Sequence, residues 1–378
     1  MDIKEFEAGR YSTQFQYKSF LPERINKEWI VSDPAINTLL EEANLKLGAL
    51  DAFSIIVPDV EVFIRMHIVK EATKSSRIEG TQTHIEEALQ KQRDINPEKR
   101  DDWQEVQNYI EAMNFAIAEL ENLPLSSRLF RKTHEVLLDG VRGKHKMPGE
   151  YRKSQNWIGG SSLKDAVFIP PPHEEVDPLM GDLENFVNND SINVPHLIRI
   201  AIAHYQFETI HPFLDGNGRL GRLMITLYLV RHKILHKPTL YLSDFFEKNK
   251  ELYYDNLTVV RSKNNLTQWI KYFLVAVVET AKQGADTFKE ILKLREELEG
   301  KTIITLGKKL PFAKQLLTHL YKHPVITALD IEEDFNVSKA TANNIIKDFQ
   351  RLEILKEQTG FKRNRIFLFE RYLKLFER

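Results

Sequence analysis

The chain has 378 residues, of which 42% are hydrophobic, with 53 basic against 54 acidic side chains. This size allows two or three domains with buried cores, and the balanced charge gives no overall field that would attract nucleic acid or a membrane surface. Because cysteine is absent, disulfides and thiol chemistry are excluded. Neither a signal peptide nor an apolar run of membrane-spanning length occurs, so we expect a cytoplasmic location.

The N-terminal part of the chain predicts a mainly helical region. Residues 1 to about 35 show no helical periodicity and predict a packed, extended arm. Apolar residues at helical spacing then predict helices over 34–50 and 60–79, and Gly80 is a natural C-terminal cap for the second. A capping box of Thr83 and Glu86 is expected to begin another helix.

The middle of the chain predicts amphipathic helices interrupted by one strand-like run. Helices are expected over 103–121 and 125–139, with a long helix or helix pair over 266–294. His134 lacks a partner at metal-ligand spacing, so we expect a packed or surface residue. The apolar run 166–169 is followed by three prolines, which predicts a short strand.

The most informative stretch is 211–222, with the sequence His-Pro-Phe-Leu-Asp-Gly-Asn-Gly-Arg-Leu-Gly-Arg. Apolar helical runs flank it, so it predicts a loop that leads into a helix. Gly216 and Gly218 allow the backbone to approach a ligand, and free amides at a helix N-terminus attract anions. Arg219 and Arg222 lie on one face of the first helical turns. The stretch therefore predicts a polyphosphate site.

Two further side chains in this stretch add chemistry to the phosphate site. Asp215 and Asn217 offer hard oxygen ligands, and Mg²⁺ is usually held by one or two protein groups together with phosphates and water. His211 stands beside them as a neutral base.

This stretch resembles the core motif of the Fic domain, His-Pro-Phe-x-(Asp/Glu)-Gly-Asn-Gly-Arg-x-x-Arg, and meets every fixed position. The resemblance implies an enzyme that transfers AMP from ATP to a Ser, Thr or Tyr hydroxyl of a protein and releases pyrophosphate. It implies ATP and Mg²⁺ as cofactors, His211 as the catalytic base and Asp215 as the metal ligand. The residues expected to bind the nucleotide phosphates are Gly216, Asn217, Gly218, Arg219, Gly221 and Arg222.

An upstream segment resembles the inhibitory motif of the same family, Ser/Thr-x-x-x-Glu-Gly/Asn. Ser75, Glu79 and Gly80 occupy its specified positions, which implies that Glu79 pairs with Arg222 and blocks the γ-phosphate site. The alternative interpretation is an ordinary glutamate in a last helical turn before a glycine cap.

Three more elements acquire expected roles from the resemblance. Residues 149–152 resemble a Gly-x-(Tyr/Phe)-Arg element, in which Arg152 would brace the active-site loop. The segment 164–173 corresponds to a flap that aligns the target protein by main-chain bonding, although a purely structural hairpin is the alternative. Asn249 would contact adenine.

The last part of the chain has the element order of a winged helix-turn-helix. Three helices are expected up to residue 352, then two strands around Thr359 and Gly360. Residues 301–378 contain 15 Lys or Arg against 9 Asp or Glu, by count along the sequence. Basic residues cluster at the expected wing, at Lys362, Arg363 and Arg365. DNA contact is one use of such a module, and protein or dimer contact is the other.

These observations predict a mainly α protein: an N-terminal helical region with the inhibitory helix over 1–102, a Fic core with one short β-hairpin flap over 103–300, and a winged-helix domain over 301–378. Self-modification and a homodimer are expected partner relationships beside the target protein. Two alternatives for function stay open. One is removal of AMP from a modified protein by the same site, and the other is a DNA-binding regulator with a nucleotide-sensing core.

Overall fold

The computed structural model describes residues 1–57, 59–140, 143, 145–361 and 363–377. The N-terminal region contains an antiparallel hairpin of five-residue strands, followed by two long helices and a short one. The bounds are β1 Gly9–Thr13, β2 Lys18–Pro22, α1 Pro34–Ile56, α2 Val60–Ile78 and α3 Ile85–Ala88.

Two of the sequence predictions for this region need correction. The expected arm is a β-hairpin, whose pairing of Tyr11 with Phe20 was not visible because exposed and buried residues do not alternate cleanly along β1. The capping box is shifted by one residue, since the backbone N–H of His84 donates to the Glu87 carboxylate at 3.0 Å. The predicted end of α2 beside Gly80 is confirmed, with Gly80 at φ 115°.

The central part is built from helices around one closely packed helix pair. In that pair, α7 (His196–Ile210) and α8 (Asn217–Arg231), almost every side chain is buried, so neither helix has a solvent face. The Trp269 indole N–H donates to Ala201 O at 2.8 Å and ties the long helix α11 to α7. The helices are α4 Arg100–Glu119, α5 Ser127–Leu137, α6 Val176–Asn188, α7 His196–Ile210, α8 Asn217–Arg231, α9 Ser243–Lys248, α10 Lys250–Lys263 and α11 Leu266–Glu297.

The predicted flap hairpin is not a regular strand pair. A single antiparallel bridge joins Ile158 to Phe168. The pairing stops because the Asp165 carboxylate gathers the backbone N–H groups and hydroxyls of Ser161 and Ser162 into a tight loop. The adjacent backbone is already paired, since the N–H of Phe20 donates to Ile169 O at 2.9 Å. The flap therefore continues the N-terminal hairpin.

The C-terminal module, residues 301–377 apart from 362, contains four α-helices and a three-stranded antiparallel sheet. The strands lie in the order β3 (Val325–Thr327), β5 (Ile366–Leu368), β4 (Lys356–Glu357). The strand β3 was not predicted, because three buried residues are too few to show a period. Lys362, part of the expected basic cluster, lies outside the described residues. The elements are α12 Leu310–Lys322, β3 Val325–Thr327, α13 Ala328–Phe335, α14 Lys339–Arg351, β4 Lys356–Glu357, β5 Ile366–Leu368 and α15 Glu370–Leu373.

The C-terminal module packs directly against the beginning of α2. The ring of Phe63 lies 5.9 Å from that of Tyr321 and 6.5 Å from that of Tyr372, measured between centroids. One turn later, His67 contacts Phe376 at 5.2 Å. The helix that ends at Glu79 therefore begins under the C-terminal module. None of the described helices is long and apolar enough to cross a membrane.

Candidate active site

The site begins where α7 ends. His211 terminates this helix in the left-handed region, at φ 51° and ψ 60°, a conformation uncommon for any residue but glycine. Arg152 stabilises the turn: its guanidinium donates to the carbonyl oxygens of His211 at 3.0 Å, Ile210 at 3.3 Å and Pro171 at 2.6 Å. The predicted bracing role of Arg152 is confirmed, and it also connects the loop to the flap.

Asn217 closes the loop from within. Its Oδ1 accepts the N–H of Phe213 and its Nδ2 donates to the carbonyl of Phe213, both at 2.8 Å, and the residue is 2% exposed. The expectation that Asn217 offers an oxygen ligand is therefore wrong, because the amide is consumed by the backbone. Gly216, at φ 75°, precedes the first turn of α8.

Asp215 presents the one partly exposed carboxylate of the motif. Its side chain is 45% exposed, and Oδ1 accepts the Gly216 N–H at 2.6 Å and lies 3.5 Å from an Nη of Arg219. No group of three or more His, Cys, Asp or Glu able to hold a metal occurs within the described ranges. A single accessible carboxylate nevertheless fits Mg²⁺, whose remaining ligands are then phosphates and water.

His134 lies beneath the active-site loop, a position that the sequence did not predict. The Gly149 N–H donates to its Nδ1 at 2.9 Å, so Nε2 carries the proton and donates to Asp215 O at 3.0 Å. Its ring stacks on Phe213 with centroids 3.8 Å apart. Burial lowers the pKa of His134 to about 4, so the ring is neutral. The sequence signal was only a histidine on a buried helix face.

The two arginines of the motif have carboxylate partners. Arg219 is 5% exposed at its side chain, and its Nη1 lies 3.4 Å from Glu105. Arg222 is almost fully enclosed: Nη2 donates to Glu79 Oε1 at 2.6 Å, Nε donates to Ser75 Oγ at 2.9 Å, and Nη2 also donates to Ser75 O at 3.0 Å. The predicted contact between Glu79 and Arg222 is confirmed.

Two glycines of the motif are required for different reasons. A Cβ at Gly218 would stand 2.3 Å from Glu79 Oε1, so the Glu79 carboxylate lies directly against the first turn of α8. A Cβ at Gly221 would stand 2.4 Å from Glu208 Oε1, which places Gly221 against α7. This packing accounts for the glycine without a ligand, and the contact of Gly221 with nucleotide stays a prediction.

Charge and burial set the protonation of the site. Burial opposes ionisation of Glu79, but the neighbouring Arg222 outweighs it and the pKa of Glu79 lies below its ordinary value. Burial lowers the pKa of His211 to about 4, against an opposing effect of Glu79. Burial raises the pKa of Glu208 to about 7, although Arg222 opposes the shift. His211 is thus a neutral base at pH 7.

Helix α2, which carries Glu79 at its C-terminal end, is anchored to its neighbours along its length. The buried Glu71 accepts the Tyr109 hydroxyl at 3.1 Å and the Ser243 N–H at 3.1 Å. At the C-terminal end, Lys250 Nζ donates to Ile78 O at 2.6 Å. Asn249, which precedes Lys250, donates from its Nδ2 to Phe245 O at 2.9 Å. The expected contact of Asn249 with adenine stays a prediction.

Comparison with known proteins agrees with this geometry. Residues 37–118 match the model of the Fic/DOC family N-terminal region, and residues 124–229 match that of the Fic/DOC family itself. The chain therefore belongs to the Fic/DOC family.

Its relatives include proteins named protein adenylyltransferase Fic. That of Drosophila grimshawi is 32% identical over 125 residues, which are 32% of this chain and 23% of the relative. That of Aedes aegypti is 33% identical over 112 residues, 29% of this chain and 20% of the relative. The matched part is thus under a quarter of either relative's length.

Solved structures show the same fold. A Fic family protein from Desulfovibrio desulfuricans aligns with a TM-score of 0.57 at 22% identity, covering 90% of this chain and 98% of the other. A Fic domain containing signaling protein from Bacteroides thetaiotaomicron aligns with a TM-score of 0.53 at 17% identity, covering 67% and 97%.

Proposed function

We propose that the protein transfers AMP from ATP to a Ser, Thr or Tyr hydroxyl of a protein, and that Glu79 inhibits the transfer. The observation that carries this proposal is the enclosure of Arg222 by Glu79 and Ser75 at the first turns of α8, beside a neutral His211. The names of the matched relatives, protein adenylyltransferases, support the same reaction.

The reaction follows from the residues of the loop. His211 takes the proton of the incoming hydroxyl as its oxygen bonds to the α-phosphorus. The bond from that phosphorus to the bridging oxygen breaks, and pyrophosphate leaves with the electron pair. Arg219 and the free amides of α8 stabilise negative charge on the phosphates. Mg²⁺, when bound at Asp215, would neutralise phosphate charge.

Inhibition by Glu79 follows from competition for one guanidinium. Arg222 would hold the γ-phosphate, but in this structure its Nη2 is bonded to Glu79 at 2.6 Å. The Glu79 carboxylate also lies against Gly218, where phosphate oxygens would approach the helix N-terminus. ATP whose γ-phosphate is excluded here takes an orientation that is unproductive for attack at the α-phosphorus.

The flap and the hairpin next to it would align the target. Val167 is 78% exposed and Trp157 is 40% exposed beside the bridge between Ile158 and Phe168. Arg152 bonds to both the flap and the His211 carbonyl, so a target segment laid along the flap lies near the base.

The C-terminal module supports a second candidate function, a DNA-binding regulator with a nucleotide-sensing core. The order α12, β3, α13, α14, β4, β5 and the three-stranded sheet support a winged helix, with α14 as the recognition helix. Lys339, Asn343 and Lys347 lie on α14. The same module could instead serve a homodimer.

Intact mass after incubation with ATP and Mg²⁺ tests these candidates. Adenylyl added to the protein itself or to a lysate protein supports the proposal, whereas an added phosphoryl group indicates a reversed nucleotide. Loss of AMP from a previously modified protein supports the removal reaction. If no protein changes in mass and the chain binds duplex DNA, the second candidate function, a DNA-binding regulator, is supported. His211→Ala is the matched inactive control.

A further inference from the structure

We infer that His134 is a positioning residue that fixes Asp215 for the metal-bound nucleotide, acting through the Asp215 backbone carbonyl. The inference rests on the proposed function, since it takes Asp215 to be the Mg²⁺ ligand.

The two ring nitrogens of His134 have different partners. Nδ1 accepts the Gly149 N–H at 2.9 Å, and Nε2 donates to Asp215 O at 3.0 Å. One neutral tautomer satisfies both bonds, and the stack on Phe213 holds the ring plane. His134 is buried at 0% exposure, so neither bond is exchanged readily for water.

These contacts join three segments at one point. His134 belongs to α5, Gly149 precedes the Arg152 that braces the His211 carbonyl, and Asp215 lies in the loop itself. The Asp215 side chain is half-exposed and bonds to its own neighbour Gly216, so its position follows the backbone that His134 holds. Groups that orient a metal ligand in this way commonly change metal affinity when they are removed.

The two bonds can be separated by two amide substitutions. In His134→Gln, the longer side chain brings an amide N–H to the place of Nε2, where it can donate to Asp215 O. In His134→Asn, the shorter amide reaches only the place of Nδ1, where its oxygen can accept the Gly149 N–H. The Gln variant therefore keeps only the bond to Asp215 O, and the Asn variant keeps only the bond from the Gly149 N–H. Both variants lose the ring stack on Phe213.

The measurement uses the full chain with Glu79→Gly as parent. We expect His134→Asn to raise the Mg²⁺ concentration for half-maximal AMP transfer by at least about tenfold, with a smaller change in the rate at saturating Mg²⁺. His134→Gln should stay within about threefold of the parent on the same scale. Calorimetry of ATP binding with Mg²⁺ and with EDTA should show the Mg²⁺-dependent gain in affinity reduced in the Asn variant and kept in the Gln variant.

Three results would overturn the inference. Equal loss in both variants would assign the contribution to ring packing on Phe213, and equal retention would show that neither bond matters. An Asp215→Asn reference variant that keeps its full Mg²⁺ dependence would remove the group through which His134 acts. Failure of the proposed function looks different: the parent then transfers no AMP, while calorimetry still reports the effect of His134.

Discussion

His211 combines a fixed backbone with a neutral ring. Burial lowers its pKa to about 4, and Arg152 holds its carbonyl at 3.0 Å, so the imidazole is ready to accept a proton at pH 7. His211→Ala should reduce AMP transfer by a factor of about 10² or more, because general bases commonly contribute that much. ATP affinity should change little, since the phosphate contacts come from other residues. Initial rates and ATP titration of the same preparation check both; near-normal transfer would refute the base assignment.

The buried Glu208 should make the stability of the folded protein depend on pH. Its folded-state pKa is raised to about 7, above that of the unfolded chain, so the folded state binds more protons between about pH 4.3 and 7. Stability is lost as pH rises through this window. We therefore compare the free energy of unfolding of Glu208→Gln with that of the parent at two pH values. The difference in favour of the variant should be larger at pH 8 than at pH 4.5, by on the order of 3 kcal/mol.

Urea unfolding of both proteins at the two pH values checks this prediction. The Glu208 carboxylate lies against Gly221, so its environment is that of the folded α7 and α8 pair. An identical pH dependence in the parent and in Glu208→Gln would show that Glu208 is ionised normally in the folded state.

The chemistry of single residues was predictable where several chemical types of side chain occur close together in the sequence. A base, a carboxylate and two arginines within 211–222 identify the site, and Glu79 was found by its own motif. The partners of Asn217 and His134 were not predictable, because an amide or a neutral ring can bond to backbone as well as to a ligand. Only the folded loop, which brings Phe213 and Asp215 next to them, decides between these uses.

Within α2, Ser75 acts on the arginine directly. Its Oγ accepts from Arg222 Nε at 2.9 Å, so it holds the guanidinium in the position where it bonds to Glu79, one helical turn further on. Ser75→Ala should raise AMP transfer by about two- to fivefold, since loss of one hydrogen bond costs a net of about 0.5–1 kcal/mol. Initial rates with ATP and Mg²⁺ check this.

Ser76→Ala is the matched control for Ser75→Ala. Its hydroxyl is also buried in α2, but within the described residues Ser76 Oγ has no hydrogen-bond partner. An equal rise in both variants would mean that any change in this helix loosens inhibition.

At the level of elements, long helices were predictable and short strands were not. Apolar residues at helical spacing, followed by the Gly80 cap, predicted α2 to within a residue of its end, because a helix of nineteen residues offers many such positions. The strands β1, β2 and β3 pair through the backbone and carry few alternating side chains, so their sequences contain little signal. The strand pair expected at the flap is reduced to one bridge for a related reason, since Asp165 closes the loop before a second pair forms.

At the scale of the whole molecule, the C-terminal module packs on the helix that carries Glu79. No motif residue lies in 301–378, so sequence alone predicts that removal of this part leaves AMP transfer intact. The structure adds that the module covers Phe63 and His67 on the helix that carries Glu79. A weakened contact there should loosen α2 and thereby free Arg222.

Phe63→Ala tests this connection in the full chain. Loss of the buried ring should destabilise the protein by about 3–5 kcal/mol and raise AMP transfer, because the cavity lies between α2 and Tyr321. Phe312→Ala is the control, since its ring packs on Phe335 inside the module. Thermal unfolding and initial rates are measured together. A destabilised Phe63→Ala with the parent's rate would separate the module from inhibition.

The proposed inhibition depends on the ion pair between Glu79 and Arg222. Two charges about 4 Å apart at an effective dielectric near 20 attract by about 4 kcal/mol, and desolvation removes part of this. The Glu79 side chain is 35% exposed, so solvent screening reduces the net effect further. A remaining coupling of about 1–3 kcal/mol would favour unproductive over productive ATP by roughly 5- to 150-fold.

The most direct test is the initial rate of adenylylation by Glu79→Gly with ATP and Mg²⁺, at a protein concentration matched to the parent. We expect the rate to rise by at least roughly tenfold, and we expect this rise to be lost in the double variant with His211→Ala. An unchanged rate would contradict the proposed inhibition and make Glu79 an ordinary helix end. A fall would contradict it in another way, by making Glu79 a catalytic group, as removal of AMP requires.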